Sequence, residues 1–242
     1  MNIIIHRGTH QIGGSAIEIS TASTRIILDF GNELSLDEKY IPINLDIDGV
    51  TKGMPDCDGI VISHYHMDHL GQLTSVFPEI PLYMGELSKE VAMIATEYQD
   101  KNLYLRLLGA NIFRGGEAFT IGDIRIRPLV IDHSAADSYM FVIEAEGKRV
   151  LYTGDFRMHG LRHHVLQKLV NTYIGEVDVL ITEGTSLSRD VDGSISEAAV
   201  LEDISSYIQD GKYVFVMCSS TNIDRIMGIW QNMPTDKVLI CD

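Results

Sequence analysis

Basic residues are scarce in this chain. Its 19 lysines and arginines face 34 aspartates and glutamates, a formal net charge of −15. A surface of that sign works against nonspecific grip on a polyanion, although a local basic groove or bound cations can reverse it at one place. Cysteine is scarce too. Cys57, Cys218 and Cys241 are odd in number, scattered and set in apolar contexts, which argues against a disulfide framework and suits reduced thiols in a cytosol. No apolar run approaches the roughly 18 residues that a membrane span needs. The opening Met1-Asn2-Ile3-Ile4-Ile5-His6-Arg7 has no long apolar core and no small-residue cleavage site, so no signal peptide is expected and the expected location is cytoplasmic. Internal repeats and low-complexity tracts are also lacking.

What the chain does have is enough apolar residue, 45% of its 242 positions, for a well-packed core. The length allows one α/β domain, or one domain and part of another. Short β-like runs dominate the front half: Ile3-Ile4-Ile5, Ala16-Ile17-Glu18-Ile19 and Arg25-Ile26-Ile27-Leu28-Asp29, with Gly13-Gly14 as a turn and Asp29-Phe30-Gly31 closing the third. Residues 34 to 58 look irregular. Short helical character follows at 70–77. A longer helix is expected over 86–108, with Leu87, Val91, Ile94, Ala95, Tyr98 and Leu105 as its core stripe. Strands return over 124–130, 139–145 and 149–153, the last two joined by a turn at Glu146-Gly147-Lys148. A helix over 160–172 and a buried strand over 177–183 are expected next. A polar linker over 185–193 leads to a helix opened by a capping box at Ser194-Ile195-Ser196-Glu197 and ended at Gly211. Strands at 214–217 and 238–241 around a helix over 222–232 complete an alternating, parallel α/β pattern.

The chemistry concentrates in Ser63-His64-Tyr65-His66-Met67-Asp68-His69-Leu70-Gly71, directly after the apolar run Gly59-Ile60-Val61-Ile62. Three histidines and an aspartate fall within six positions. In extended chain alternate side chains share a face, so His64, His66 and Asp68 can converge. His69 falls at the start of the next helix and can reach a second ion. Imidazole with carboxylate suits zinc and its transition-metal neighbours. The plain alternative is a chance cluster on a solvated loop. Two later strand ends add to the set: His133 in Ile131-Asp132-His133-Ser134, and Asp155 in Thr153-Gly154-Asp155-Phe156.

With those residues in place the chain resembles the metallo-β-lactamase superfamily. His64-x-His66-x-Asp68-His69 is similar to its signature, His133 to its later histidine, Asp155 to its bridging aspartate, and Asp29 to its first acidic motif. The resemblance covers about residues 1–185. Within the superfamily the β-CASP branch of ribonuclease J-like nucleases is the nearest likeness. It is carried by Asp132-His133-Ser134-Ala135-Ala136-Asp137-Ser138, Tyr152-Thr153-Gly154-Asp155-Phe156-Arg157, Thr182-Glu183-Gly184-Thr185 and Val216-Met217-Cys218-Ser219-Ser220-Thr221-Asn222.

That resemblance implies an αββα sandwich over residues 1–185, incomplete at its C-terminal end, and a partial β-CASP domain over 186–242. Family members carry a further metal-ligating histidine beyond the point where this chain ends, which puts the second metal and the activity of a fragment in doubt. It implies two divalent ions, zinc or else manganese. One is held by His64, His66 and His133, the other by Asp68 and His69, with Asp155 bridging. Asp29 would support a metal-bound histidine from behind, and Glu183 would be the acidic motif opening the inserted domain. The implied reaction is hydrolysis of an RNA phosphodiester by a hydroxide between the metals, with Asp68 orienting it and taking its proton. A ribonuclease or exonuclease with an RNA substrate is the leading expectation. A small-molecule thioesterase, lactonase or phosphodiesterase of the same fold is the second. The third is an inactive metal-binding partner protein.

The remaining histidines, His6, His10, His159, His163 and His164, match no ligand position. Ser219-Ser220-Thr221 before a helix fits N-capping, or phosphate held by helix amides. Arg157 and Arg162 fit either a phosphate contact near the site or the plain surface. An unfinished sheet would leave a strand edge free, so self-association is expected.

Overall fold

The computed structural model describes residues 1–34, 43–187 and 195–241. Parts of the expected loop over 34–58 and linker over 185–193 therefore lie outside the described residues, as does Ser194.

Six strands build a first sheet: β1 (Asn2–Arg7), β2 (Ala16–Ser20), β3 (Arg25–Leu28), β4 (Gly59–Val61), β5 (Leu82–Gly85) and β6 (Asn111–Phe113), in that spatial order. The first three are antiparallel and the last three join in parallel. The second sheet contains β7 (Phe119–Ile121), β8 (Ile124–Ile131), β9 (Ser138–Ala145), β10 (Lys148–Tyr152) and β11 (Val179–Ile181), in reverse order across the sheet. Its pairs are antiparallel except β10 with β11.

Strand alternation builds the layers. In β3, Ile26 and Leu28 face the second sheet, meeting Ile126, Phe141 and Ile143 in one apolar core. Ile27, between them, faces the opposite way into a second core with Ile60, Leu82, Ala92, Leu103 and Leu107. In β9, Met140 and Val142 point outward onto Leu169 and Ile174. Side chains two apart share a face, so each strand feeds two cores at once. The covering helices are α1 (Met67–Leu70), α2 (Glu86–Thr96), α3 (Lys101–Leu108) and α4 (Val165–Leu169), the last running into a π turn over Val170–Ile174. Helix, sheet, sheet and helix layers make the expected αββα sandwich. A second helical pair, α5 (Glu197–Asp210) and α6 (Ile223–Gln231), has a small core of its own in Leu201, Ile208 and Ile229.

Several elements differ from expectation. The helix over 86–108 is two helices. Asp100 accepts from the amides of Asn102 and Leu103 and restarts the chain as α3, since a side-chain cap outcompetes helix continuation there. The expected core stripe is only partly inward: Val91 packs against the core, but Ile94 is 74% exposed and Tyr98 91%, while Ala92, Leu103 and Leu107 are buried. The region over 70–77 splits into the end of α1 and a 3₁₀ turn at Leu73–Ser75. The helix read over 160–172 starts only at Val165. The strand at 177–183 forms, but as an exposed edge paired with β10, not as a buried strand. Ser196, not Ser194, caps α5, its hydroxyl accepting from the Ala199 amide at 3.2 Å. The strands expected at 214–217 and 238–241 are not formed. Both stretches are largely solvent-facing, with Phe215 97% exposed, and only Leu239 of them packs onto the α5–α6 core. Apolar β-branched sequence reads as strand, but a strand exists only with a ladder partner.

Candidate metal centre

The candidate ligands follow strand ends on one side of the sandwich, except Asp68 and His69, which sit in α1. β4 runs out at Val61, and residues 63–66 cross the gap to α1 with His64 buried and His66 half-buried. β8 ends at Ile131, two residues before His133, and β10 ends at Tyr152, three before Asp155. Adjacent strand ends from both sheets thus open onto one volume.

Inside it, His64 Nε2 lies 3.1 Å from His66 Nδ1, and His133 Nε2 lies 3.2 Å from the same His66 nitrogen. The three form one group whose ligand atoms fall within 4.8 Å of one another, and His64, His69 and Asp155 form a second. His69 Nε2 stands 3.4 Å from Asp155 Oδ1 and 3.6 Å from Asp68 Oδ2. His133 Nε2 stands 3.7 Å from Asp155 Oδ2. Asp155 therefore presents one oxygen to each group. Asp68 flanks the second group beside His69, while the tightest triad there contains His64. All six sequence candidates are in this one volume.

The titration pattern follows from burial. It drives His64 well below its ordinary value, His66 down to about 4 with help from the His69 charge, and His133 down to about 3. Three neutral imidazoles then bring ring nitrogens within about 3 Å of one another, and each keeps one lone pair free to bind a cation. Burial also raises the Asp68 carboxyl. His69 goes the other way: burial alone would lower it, but the carboxylates of Asp29 and Asp155 hold it well above the usual histidine range. Burial alone would likewise raise Asp155, but its hydrogen bond to His69 and the charge there hold it below the usual carboxylate range. Nitrogen donors mixed with carboxylates, with their basic atoms converging, fit a divalent transition metal. These residues therefore fit two ions, one beside His64, His66 and His133 and one beside His69, with Asp155 between.

Asp29 lies behind the cluster, fully buried. Its Oδ2 accepts from His69 Nδ1 at 2.8 Å, from Ser63 Oγ at 2.8 Å and from Tyr152 Oη at 2.6 Å, and its Oδ1 accepts the Ser63 amide at 2.7 Å. The Nδ1 bond turns His69 Nε2 toward the centre, the usual arrangement behind a metal-bound histidine. Gly31 clears the way for α1: a Cβ there would stand 1.7 Å from the Asp68 carbonyl oxygen. Glu183 accepts the Phe156 amide at 2.8 Å, bracing the backbone next to Asp155. Ser63, Tyr65 and Tyr152 belong to this machinery although their residue types alone do not mark them. The site floors a cavity of about 800 Å³, walled on one side by the loop Gly8–Gly13 and on another by Thr182–Thr185.

Comparison with known proteins agrees with this arrangement. The family model for the β-lactamase superfamily domain matches residues 34–204. A ribonuclease J-like protein of Methanocaldococcus jannaschii is 27% identical, over 87% of this chain and 49% of its own length. Ribonuclease J of Helicobacter pylori is 24% identical, over 90% of this chain and 33% of its own length. This chain thus spans a third to a half of those relatives. A crystal structure of a protein of unknown function from Enterococcus faecalis superposes with a TM-score of 0.81 at 20% identity, covering 96% of this chain and 63% of that one. A family match across most of the chain, on a sandwich whose strand ends gather these histidines and aspartates, means that the chain belongs to the metallo-β-lactamase superfamily.

Proposed function

We propose that this chain carries the metal-dependent hydrolytic centre of a nuclease that cleaves RNA phosphodiesters, of ribonuclease J type. The observation behind the chemistry is the convergence of ring nitrogens and carboxylate oxygens, with His66 Nδ1 near His64 Nε2 and His133 Nε2 and Asp155 reaching both groups. The substrate class rests on the relatives, whose names are those of ribonucleases. In this reading His64, His66 and His133 hold one ion, His69 and Asp68 hold the other, and Asp155 bridges; the nitrogen-rich set favours zinc over manganese. Divalent cations held there would bring the pKa of a water between them toward neutrality and stabilise charge on the phosphate oxygens.

The protein's own residues do the rest. Asp68 orients the attacking water and accepts its proton as the oxygen bonds to phosphorus. One ester P–O bond breaks in line, and its oxygen takes up a proton from bulk water. Asp29 holds His69 in register throughout. Residues 1–185 form the hydrolytic domain, and 186–242 supply the opening part of a β-CASP-like domain, with Glu183 at the junction.

The net charge of −15 favours a second reading, a small-molecule ester or phosphodiester hydrolase on the same centre. One experiment separates these. Metal content per chain is measured on the protein and on the double variant His66→Ala, His69→Ala, and both are offered end-labelled RNA and a nitrophenyl phosphodiester. Two equivalents of metal, lost in the variant along with RNA cleavage, support the nuclease. Cleavage of the small ester with RNA untouched favours the second reading. Metal-free protein refutes both.

A further inference from the structure

The α5–α6 pair is attached to the sandwich in an unusual way. Its apolar core of Leu201, Ile208 and Ile229 is separate from the sheet cores. What joins the two is a set of part-buried polar contacts, and these end on the loops that carry the candidate ligands.

Tyr65 lies between His64 and His66 in sequence and points away from them into the protein, 5% exposed. Its hydroxyl donates to the Thr221 carbonyl at 2.6 Å, one residue before the α6 cap Asn222, and accepts the Ala136 amide at 2.8 Å, three residues past His133. One oxygen thus ties two ligand segments to the start of α6.

Glu197, the first residue of α5, makes the second tie. Its carboxylate is held by Arg225 of α6 through two bonds of 2.6 and 2.8 Å. The same carboxylate meets Arg157 Nη1 at 3.4 Å, while Arg157 Nε donates to Asp132 Oδ1 at 2.8 Å and the Arg157 amide to the Asp132 carbonyl at 2.8 Å. Asp132 precedes His133, and Arg157 follows Asp155 by two residues. The Asp132–Arg157 clasp therefore sets the spacing of two candidate ligands, and Glu197 holds that clasp from behind. Arg162 adds a third tie, to Asp224 Oδ2 at 2.6 Å, while its amide donates to the other Asp132 oxygen. Gly160 is required in this crowd, because a Cβ there would stand 2.0 Å from Asp132 Oδ1.

We propose that the α5–α6 pair is a positioning element for the metal centre, with Glu197 and Tyr65 as its positioning residues. Undocking the pair releases the Asp132–Arg157 clasp and the Tyr65 hydroxyl together, so the loops bearing His133 and Asp155 lose their spacing. The inference rests on the metal-centre reading above for its consequence, but not for the coupling itself.

The test uses the full chain and two variants, Glu197→Gln and Tyr65→Phe. Hydrogen–deuterium exchange on metal-free protein reads the coupling. Cobalt(II) absorption and zinc competition with a chelator read the ligand geometry. Both variants are expected to speed exchange over 131–137 and 153–158 at least several-fold, leave β2–β4 protected, and weaken zinc binding about tenfold, as loss of support behind metal ligands does. Faster exchange confined to 197–231, with the ligand loops and zinc affinity unchanged, overturns the proposal. If the wild type binds neither ion while the variants still loosen both loops, the positioning role stands and the metal reading falls. If Glu197→Gln fails to fold, Tyr65→Phe, which removes one hydroxyl, decides alone.

Discussion

Asp29 adopts a left-handed backbone, with φ at 57°, where a non-glycine residue costs roughly 1 kcal/mol or more. The conformation turns the carboxylate back under β4 so that it collects four donors, from Ser63 twice, His69 and Tyr152. Asn is among the few residues that tolerate this φ, so Asp29→Asn tests the charge and acceptor set with little backbone effect. The amide turns one acceptor into a donor facing donors. The expected result is a loss of about 3 kcal/mol in urea unfolding and zinc binding weakened between ten- and a hundredfold. Unchanged zinc competition would mean that His69 needs no support from behind. At this scale the convergent cluster was legible because its residue types are the signal: three histidines and an aspartate in six positions have few bland explanations. Tyr152 was not legible as a partner of Asp29. A hydroxyl takes whatever acceptor the tertiary fold delivers, here one 123 positions away.

Among the elements, strands were easier to foresee than helices. β8 opens on alternating apolar residues, β9 and β10 are short apolar runs buried on both faces, and Glu146 and Gly147, both with positive φ, make the tight turn that their positions imply. The helix over 86–108 was misjudged because its apolar residues fit one continuous face if the period runs unbroken. Asp100 resets that period, and the buried residues become Leu103 and Leu107, with Leu105 55% exposed. The distinction can be measured in urea midpoints. Asp100→Ala, which removes a cap bonded to two amides, should cost about 1 kcal/mol. Leu107→Ala should cost about 2–5 kcal/mol through the cavity it leaves, whereas Leu105→Ala should stay within about 0.5 kcal/mol. A larger loss at Leu105 than at Leu107 would restore the single-helix reading.

The whole molecule divides its stability unevenly. Three apolar cores secure the sandwich, while α5 and α6 share a small one and the Glu197–Arg225 pair, and hold on to the sandwich through ion pairs with Arg157 and Arg162. Regions with few buried apolar contacts open at lower cost than the global transition. Trp230, on α6, is the only tryptophan of the chain, so its fluorescence reports the helical pair while far-ultraviolet circular dichroism follows the sheets as well. The two probes should give separate urea transitions, with tryptophan first. Acid should widen the gap. The Arg225 hydrogen bond, with the charges of Arg225, Arg157 and His159, holds Glu197 below the ordinary carboxylate value. A depressed carboxylate stabilises the helical pair and its docking above its unfolded pKa, and that contribution is lost as pH falls through the folded value. Glu18, held low by Arg25 and His6 on the other side of the fold, weakens the sandwich over the same range, so the comparison is made with Glu197→Gln at each pH. Between neutrality and about pH 4 the wild-type tryptophan midpoint should drop toward that of the variant, and the variant's should move less. Coincident transitions at every pH would instead mean that the charged clasp binds the helical pair as tightly as the sandwich is bound to itself.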